Sequence, residues 1–469
     1  MERKTKIIAT IGPASNKQET INKLAQVGMD VARLNFSHGN HKTHKENIQK
    51  IRNAEKAVGK PIAILADLCG PKIRVGVLKD SKPIALAKGQ VLTFAPEGKA
   101  SGNVIPVTYP ELAKDVRAGD TILLDDGKIS VKVTEVSGDS FKAKVIFGSQ
   151  LKEHKGINLP DITLSRSPIT KKDEEDLKIA IENGVDFIGL SFVQNAKDIV
   201  RARLLTSKAG HKTPIIAKIE RRAALQNISA ILKEADAVMI ARGDIGVETP
   251  LERVPILQKQ IITLGAKFHK PVIVATQMLE SMIELDRPTR AEVSDVANSV
   301  FDGADAVMLS GETAAGKNPI NAFETMAGIV EASEESKYSP FGTYELEDGD
   351  DTAQFATIRA ACFASDEAKA KAIVVFTMTG KSALFISKQR PRSQIIAITS
   401  NSDVARRLNL YHGVIPVKMA PWKTIDSMIS SGLNMLKEMH LADYNDKLVI
   451  VCGTTTTPGA TNMIKILKV

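Results

Sequence analysis

Two apolar runs near the middle of the chain each end in charged residues that could perform phosphate chemistry. Residues 214–220 end in Lys218, Ile219 and Glu220, and residues 237–244 end in Asp244. Because side chains alternate along a strand, Lys218 and Glu220 point to the same side. Carboxylates can hold a divalent metal, and an ammonium can neutralise phosphoryl oxygens. The pattern therefore predicts a site for phosphate chemistry.

Apolar runs of this kind recur along the chain and alternate with amphipathic segments such as 17–27, 171–183, 251–269 and 290–302. The runs are rich in Val, Ile, Ala and Leu, which is typical of strands buried on both faces. Strands that alternate with helices form parallel βαβ units, and eight units predict a closed (β/α)8 barrel of the α/β class. The predicted strands are 6–12, 31–38, 62–68, 187–193, 214–220, 237–243, 272–278 and 306–312.

Polar residues stand at the ends of seven of these predicted strands. Each one alone could be an edge, turn or helix-capping residue. Chemistry in a (β/α)8 barrel lies at the C-terminal ends of the strands, so these side chains should meet on one rim. The residues are Arg33, Asn35, Ser37, Asp67, Ser191, Lys218, Glu220, Arg242, Asp244, Thr276, Ser310 and Glu312. Their convergence favours a functional site over separate structural roles.

The barrel pattern is interrupted after the third predicted strand. Residues 71–165 carry short alternating runs and turn signals, which predict an inserted all-β domain of β-barrel type. After an acidic segment, residues 345–351, strands and helices resume and predict an open α/β domain. We therefore expect barrel segments at 1–70 and 166–335, the insert at 71–165, and a C-terminal α/β domain at 350–469.

Composition and charge narrow the class of protein. The net charge of +9 suits either nucleic acid or anionic metabolites, but the lysines are dispersed and only 4% of residues are aromatic, which disfavours nucleic acid. We find no apolar stretch long enough to span a bilayer and no secretory signal, and expect no membrane partner. The three cysteines are scattered and odd in number, which suits a reducing compartment. We expect a cytoplasmic enzyme.

Longer motifs carry a resemblance to a known family. They lie at residues 5–13, 33–39, 70–74, 217–220, 241–244, 275–282, 287–292 and 308–314. In sequence and order these motifs resemble pyruvate kinase. The resemblance implies phosphoryl transfer from phosphoenolpyruvate to ADP, giving pyruvate and ATP in glycolysis, and it suggests a homotetramer. The preferred nucleoside diphosphate stays open.

The resemblance also implies roles for the rim residues. Glu220 and Asp244 would hold Mg²⁺ or Mn²⁺, Lys218 would stabilise the phosphoryl group during transfer, and Arg33 would contact phosphate. A loss of Lys218 should cost on the order of 10³-fold in rate. The resemblance assigns the substrate carboxylate to Gly243, Asp244 and Thr276, and nucleotide contacts to Asn35, His38, Arg74 and Lys172. Thr276 and Ser310 are candidates for the proton route to the enolate, and Lys218 is the weaker alternative.

One position departs from the family pattern. Many members carry an acidic residue where this chain has Lys72, and they require K⁺. The oxygen ligands of that monovalent site, Asn35, Ser37 and Asp67, are present in this chain. Because a fixed ammonium could supply the positive charge, we expect a vacant monovalent site and activity without K⁺. The alternative is that Lys72 points to solvent and K⁺ still binds.

A second phosphate site is predicted in the C-terminal domain. Residues 377–383 form a Thr/Gly/Ser loop between a predicted strand and a helix, a pattern that can cradle phosphate. The resemblance places a phosphorylated allosteric activator here, with residues 453–459, Thr461 and Asn462 as the opposite wall. The expected ligand is a phosphorylated sugar or a nucleotide monophosphate. The predicted contacts are Thr377, Thr379, Gly380, Lys381 and Ser382.

Two other functions could use the same residues. A metal-dependent barrel lyase or aldolase acting on phosphoenolpyruvate or pyruvate would share the acidic pair and Arg33, but it would leave the β insert unexplained. A basic phosphate-binding regulator or nucleic-acid binder would show salt-dependent binding and no effect of Glu220→Ala. An assay of ATP formation separates these alternatives.

Overall fold

The computed structural model describes residues 3–162, 164–165, 167–340, 352–422, 424–454 and 461–469. Eight parallel strands pair in chain order and close into a barrel when the last pairs with the first. This confirms the predicted (β/α)8 barrel. The barrel strands are Lys6–Thr10, Val31–Asn35, Ala63–Asp67, Phe187–Leu190, Ile215–Ile219, Ala237–Ala241, Val272–Ala275 and Ala306–Leu309. Each ends earlier than predicted, because the polar rim residues lie mostly in the turns and short helices that follow.

The barrel strands are buried on both faces, as their composition predicted. Residues such as Ile8, Ile216 and Met239 fill the barrel interior, while Ile7 and Ile240 belong to the core that packs against the helices. This double burial holds the strand ends in fixed positions. The α-helices around the barrel are Gln18–Gln26, His41–Val58, Lys171–Glu182, Ala196–Lys208, Arg222–Gln226, Ile228–Glu234, Arg242–Glu248, Val254–Lys267, Arg290–Phe301, Gly311–Ala314 and Pro319–Glu335.

The chain between the third and fourth barrel strands forms a separate β structure, here called the insert. Its strands surround their own core, in which Phe94 and Phe141 stack with ring centroids 4.9 Å apart. Six strands form one sheet. Backbone hydrogen bonds join residues 73–76 to the chain at both edges of this sheet. In sheet order they are Ile157–Asn158, Thr121–Leu124, Ile129–Ser137, Ser140–Phe147, Val91–Pro96 and Ile105–Val107; Ile84–Ala85 pairs with Gln150–Leu151, and a short helix covers Leu112–Asp115.

The C-terminal part is an open α/β structure, as predicted. In sheet order its strands are Val414–Lys418, Gln394–Thr399, Ala372–Phe376, Lys447–Gly453 and Thr461–Lys468, of which only the last is antiparallel. Its α-helices are Thr352–Glu367, Lys381–Lys388, Ser402–Arg407 and Ile425–Glu438. The predicted acidic linker 345–351 lies outside the described residues.

The C-terminal part packs against the end of the barrel opposite to the rim. Lys388 Nζ is 2.6 Å from Oδ2 of Asp305, which directly precedes the eighth barrel strand, and both side chains are buried.

Five short 3-10 helices complete the described elements: Lys79–Ser81, Glu97–Lys99, Leu251–Arg253, Glu280–Ile283 and Leu408–Leu410. Within the part of the chain that the structure describes, none of the helices has the length and apolar character needed to cross a membrane.

Candidate active site

Lys218 lies at the centre of a buried ion cluster on the rim. Its ammonium is 2.8 Å from Oε1 of Glu220 and 3.1 Å from Oδ1 of Asp67. It also donates a hydrogen bond to Oγ of Ser191 at 2.7 Å. Burial alone would lower the pKa of Lys218, but the two carboxylates outweigh burial and raise it. Lys218 therefore stays charged at neutral pH.

Asp67 joins Lys218 to a second cation, Arg33. Nε and Nη2 of Arg33 lie 2.8 and 2.7 Å from Oδ2 of Asp67, and Nη1 donates to Oγ1 of Thr10 at 3.0 Å. Burial would raise the pKa of Asp67, but Lys218 and Arg33 outweigh it and hold the pKa below its usual value. The sequence suggested Asp67 only as a ligand of a monovalent ion. Its bridging position becomes visible only when the second, third and fifth strands close into the barrel.

Glu220 and Asp244 form the acidic side of the site. Oε2 of Glu220 accepts a hydrogen bond from the backbone N–H of Phe192 at 2.6 Å. Asp244 lies on the helix Arg242–Glu248 directly after the sixth strand. Burial, followed by repulsion from Glu220, raises the pKa of Asp244 to about 7. Glu220 and Asp244 follow the adjacent fifth and sixth barrel strands, so both carboxylates belong to the same part of the rim.

The two carboxylates suit Mg²⁺ or Mn²⁺, which also take water and substrate oxygens as ligands, better than a metal ion whose ligands all come from the protein. The described residues contain no cluster of three or more His, Cys, Asp or Glu side chains arranged for a metal. Mg²⁺ is usually held by one or two carboxylates, with water and substrate phosphate as further ligands. Glu220 and Asp244 can supply such a pair, because a carboxylate oxygen that accepts one bond keeps a second lone pair.

The loop after the seventh strand is fixed by Arg242. Its Nη2 donates to the carbonyl oxygens of Thr276 at 2.8 Å and Gln277 at 3.1 Å, and Nη1 contacts Asp295 at 2.6 Å. The φ angle of Thr276 is 66°, a conformation that β-branched residues rarely adopt. Backbone N–H of Gly243 donates to Oγ1 of Thr276 at 2.9 Å. The structure thus brings Gly243 and Thr276 together, and Arg242 holds Thr276 in a strained conformation.

Ser310 follows the eighth strand and carries a free hydroxyl. Its Oγ is buried and has no hydrogen-bond partner among the described residues. Its backbone N–H donates to Oε2 of Glu312 at 2.7 Å, and Oε1 of Glu312 accepts from Leu279 N at 3.1 Å. Glu312 thus fixes the backbone of Ser310 and leaves the hydroxyl available.

A group of cations lies beyond the second and third strands. Oδ1 of Asn35 accepts from the backbone N–H of Ser37 at 3.0 Å. Burial, followed by the charges of Lys72, Arg74 and Arg33, lowers the pKa of His38. The backbone N–H of His38 donates to the carbonyl oxygen of Asn35 at 3.2 Å, and both Lys72 and Arg74 are solvent-exposed. Three cations thus act on His38, which follows directly after Ser37 in the chain.

Lys172 approaches this region from the helix Lys171–Glu182. Its Nζ donates to the carbonyl oxygen of Phe36 at 2.9 Å and contacts the buried carboxylate of Asp176. The helix begins with a capping box in which Thr170 and Asp173 bond reciprocally, which fixes the position of Lys172. Lys172 therefore supports the turn after the second strand from outside the ion cluster.

A cavity separates the rim from the insert. It has a volume of about 170 Å³ and is lined by Lys72, Arg74 and Asp126 from the insert side and by Asp244 and Glu248 from the rim. Because the lining combines carboxylates with the cations Lys72 and Arg74, the cavity suits a polyanion that carries a divalent cation. The sequence predicted the insert and singled out Lys72, Arg74 and Asp244, but it gave no signal for Asp126 and Glu248.

The predicted effector loop has the expected strand–loop–helix form. Gly380 has a φ of 87°, and its N–H donates to Oγ1 of Thr377 at 2.9 Å. Thr379 and Lys381 are exposed. The hydroxyl of Ser382 is buried and lies 2.7 Å from Oγ1 of Thr461.

The predicted opposite wall is only partly described. Thr454 and Asn462 exchange two hydrogen bonds of 3.0 Å, while residues 455–460 lie outside the described residues. Because Ser382 bonds inward to Thr461, the groups of the loop that are open to a ligand are Thr379 and Lys381.

This fold and site define a barrel enzyme with paired carboxylates and paired cations on its C-terminal rim, as phosphoryl transfer requires. The family model described as "Pyruvate kinase, barrel domain" matches residues 2–323, and the model described as "Pyruvate kinase, alpha/beta domain" matches residues 356–467. The chain belongs to the pyruvate kinase family. As a phosphotransferase of glycolysis, it converts phosphoenolpyruvate and ADP into pyruvate and ATP.

Individual relatives agree with this assignment over the full length. The chain is 40% identical to pyruvate kinase of Thermotoga maritima over 469 residues, covering 100% of both chains. It is 41% identical to pyruvate kinase of Clostridium perfringens over 474 residues, again covering 100% of both. The crystal structure of a pyruvate kinase from Cryptosporidium parvum superposes with a TM-score of 0.91 at 37% identity, covering 99% of this chain and 96% of that one.

Proposed function

We propose that this pyruvate kinase requires Mg²⁺ or Mn²⁺ held by Glu220 and Asp244, works without K⁺, and is activated by a phosphorylated effector. The observation that carries the proposal is the buried cluster in which Lys218 contacts Glu220 at 2.8 Å while Asp67 joins it to Arg33. The metal, when bound, would supply positive charge to the phosphate and enolate oxygens as a Lewis acid. The remaining chemistry belongs to residues of the chain.

Lys218 and Arg33 would stabilise the transferring phosphoryl group. Phosphoryl transfer depends mainly on positioning and on neutralising charge spread over the phosphoryl oxygens. Asp67 holds both cations in place and is itself buried, so neither side chain must reorganise during the reaction. Ser191, which accepts from Lys218, fixes the direction of the ammonium.

The rim after the sixth to eighth strands would bind the carboxylate of phosphoenolpyruvate and direct a proton to the enolate. The turn at Gly243 and Asp244 lies beside Thr276, and the backbone of this turn together with the Thr276 hydroxyl would bind the carboxylate. In this structure the backbone N–H of Gly243 donates a hydrogen bond to the hydroxyl of Thr276. The hydroxyl must therefore rotate away when the substrate carboxylate accepts from this N–H. Thr276 and Ser310 carry the hydroxyls of the proposed proton route, and the unpartnered Oγ of Ser310 supports this role.

The nucleotide would lie beneath the insert. Arg74, which lines the cavity, would contact the ADP phosphates together with Asn35 and His38. Lys172 would support this region through the carbonyl oxygen of Phe36. Lys72 would replace K⁺, because its charge already acts on His38 together with Arg74 and Arg33. The monovalent site formed by Asn35, Ser37 and Asp67 would then stay vacant.

The C-terminal site would bind a phosphorylated sugar or nucleotide monophosphate through residues of the loop, chiefly the exposed Thr379 and Lys381. Thr377 and Gly380 shape the loop, and Ser382 anchors it to Thr461.

We further propose a division into three domains: the barrel at 1–70 and 166–335, the insert at 71–165, and the C-terminal domain at 350–469. The protein would form a homotetramer. It would lie in the reducing cytoplasm, where the three free cysteines would persist.

Initial rates of ATP formation from phosphoenolpyruvate and ADP test the proposal. Omission of divalent metal should abolish the reaction, and Glu220→Gln should remove most of it. Metal-independent ATP formation would contradict the proposed metal site. Release of pyruvate and inorganic phosphate without ADP would instead indicate hydrolysis of the phosphate ester.

A further inference from the structure

The residue after Glu220 joins the insert to the barrel rim. Arg221 is only 4% exposed, and its Nη2 donates to the carbonyl oxygens of Leu159 at 3.0 Å and Ile162 at 3.1 Å. These carbonyls belong to the segment through which the insert returns to the barrel. The backbone at Arg221 is extended, with φ −123° and ψ 149°. Glu220 and Arg221 therefore point to opposite sides, one into the ion cluster and the other toward the insert.

The same guanidinium contacts the helix that carries Asp244. Nε of Arg221 is 3.3 Å from Oε1 of Glu248, and both side chains are 5% exposed. Oε2 of Glu248 accepts from the backbone N–H of Arg222 at 3.0 Å. Because Asp244 and Glu248 are four residues apart on one helix, they share a face. Arg221 and Glu248 also line the cavity between rim and insert.

We propose that Arg221 is a positioning residue for phosphoryl transfer. Through Glu248 and the two carbonyls, it fixes the spacing between Glu220 and Asp244 and holds the insert over the cavity. The inference rests on the proposed metal role of Glu220 and Asp244. A displacement of about 1 Å at a reacting centre can cost on the order of 10²-fold in rate, so a contact outside the chemistry can still control it.

The neighbouring Arg222 provides a matched control. Its Nη1 pairs with Asp161 of the same returning segment at 2.7 Å, but the two side chains are 48% and 60% exposed. Exposed ion pairs contribute little energy. Arg222→Gln therefore removes a link between the same two segments without touching the buried contacts of Arg221.

The test combines kinetics with a measurement that needs no metal. For Arg221→Gln we expect kcat/KM to fall on the order of 10²-fold and the half-saturating Mn²⁺ concentration to rise. In the ligand-free protein, amide hydrogen exchange in residues 157–162 should accelerate. Arg221→Lys should fall between wild type and Arg221→Gln, because one ammonium cannot reach the carboxylate and both carbonyls. Arg222→Gln should leave all three quantities unchanged.

The proposal would be overturned if Arg221→Gln kept the Mn²⁺ dependence and the amide hydrogen exchange of the wild type. It would also be overturned if Arg222→Gln changed these quantities as much as Arg221→Gln does. If Arg221→Gln fails to fold, Arg221→Lys and Glu248→Gln decide, and an unchanged half-saturating Mn²⁺ concentration in both overturns the inference. Glu220→Gln separates this inference from the proposed metal site. Unaltered Mn²⁺ binding in that variant would refute the metal role, while exchange at 157–162 would still report whether Arg221 anchors the insert.

Discussion

Replacement of Lys218 by methionine removes the ammonium while keeping much of the side-chain volume. In the structure, Nζ lies 2.8 Å from Oε1 of Glu220, the proposed metal ligand, and we take ~4 Å as the separation between Nζ and a phosphoryl oxygen bound to that metal. The Lys218 side chain is 11% exposed, which limits screening by water. Two unit charges at that distance interact by ~4 kcal/mol at an effective dielectric of 20. Lys218→Met should therefore lower kcat on the order of 10³-fold, at tenfold per ~1.4 kcal/mol.

The assay is the coupled rate of pyruvate formation at saturating phosphoenolpyruvate, ADP and Mg²⁺, with thermal unfolding measured in parallel. Lys178→Met is the matched control, because its ammonium lies 4.0 Å from Glu182 and is 70% exposed. This control should keep wild-type kcat. If folded Lys218→Met keeps kcat within about tenfold of wild type, the charge-stabilising role of Lys218 is wrong.

Three further predictions concern the monovalent cation, pH and the effector. In K⁺-free tetramethylammonium buffer the enzyme should be fully active, whereas Lys72→Glu should require added K⁺; strong stimulation of the wild type by K⁺ would refute the assignment. Because the pKa of Asp244 is raised to about 7, the carboxyl is protonated below that pH. Calorimetry should then show Mn²⁺ affinity roughly constant above pH 7 and falling about tenfold per pH unit below it; a flat profile from pH 5 to 8 would count against Asp244. Lys381→Gln should abolish activation by sugar phosphates or nucleotide monophosphates and leave the basal saturation curve intact, which initial rates with and without these compounds would show; retained activation would exclude Lys381.

The barrel could be predicted because its strands are buried on both faces and therefore read as continuous apolar runs. All eight predicted strands are present, from Lys6–Thr10 to Ala306–Leu309. Their C-terminal limits were wrong because residues such as Gly243 and Glu312 have helical neighbours, and the sequence alone does not show where a strand yields to a short helix.

The identities of the site residues were also accessible, but several of their contacts were not. Asp67 reads as one more acidic strand end, and its bridge between Arg33 and Lys218 depends on the closure of the barrel. Arg221 reads as an ordinary turn residue, because its partners Leu159 and Glu248 lie far away in the chain. Such contacts carry no local sequence signal, since they arise from long-range packing.

In the proposed active site, Glu220 and Asp244 share a divalent metal beside Lys218. Anomalous X-ray diffraction from crystals grown with Mn²⁺ and phosphoenolpyruvate tests it most directly. One strong Mn²⁺ peak should lie within about 2.0–2.3 Å of a carboxylate oxygen from each acid, with substrate oxygens completing the shell. A peak elsewhere, or one that leaves either carboxylate outside the coordination shell, would contradict it.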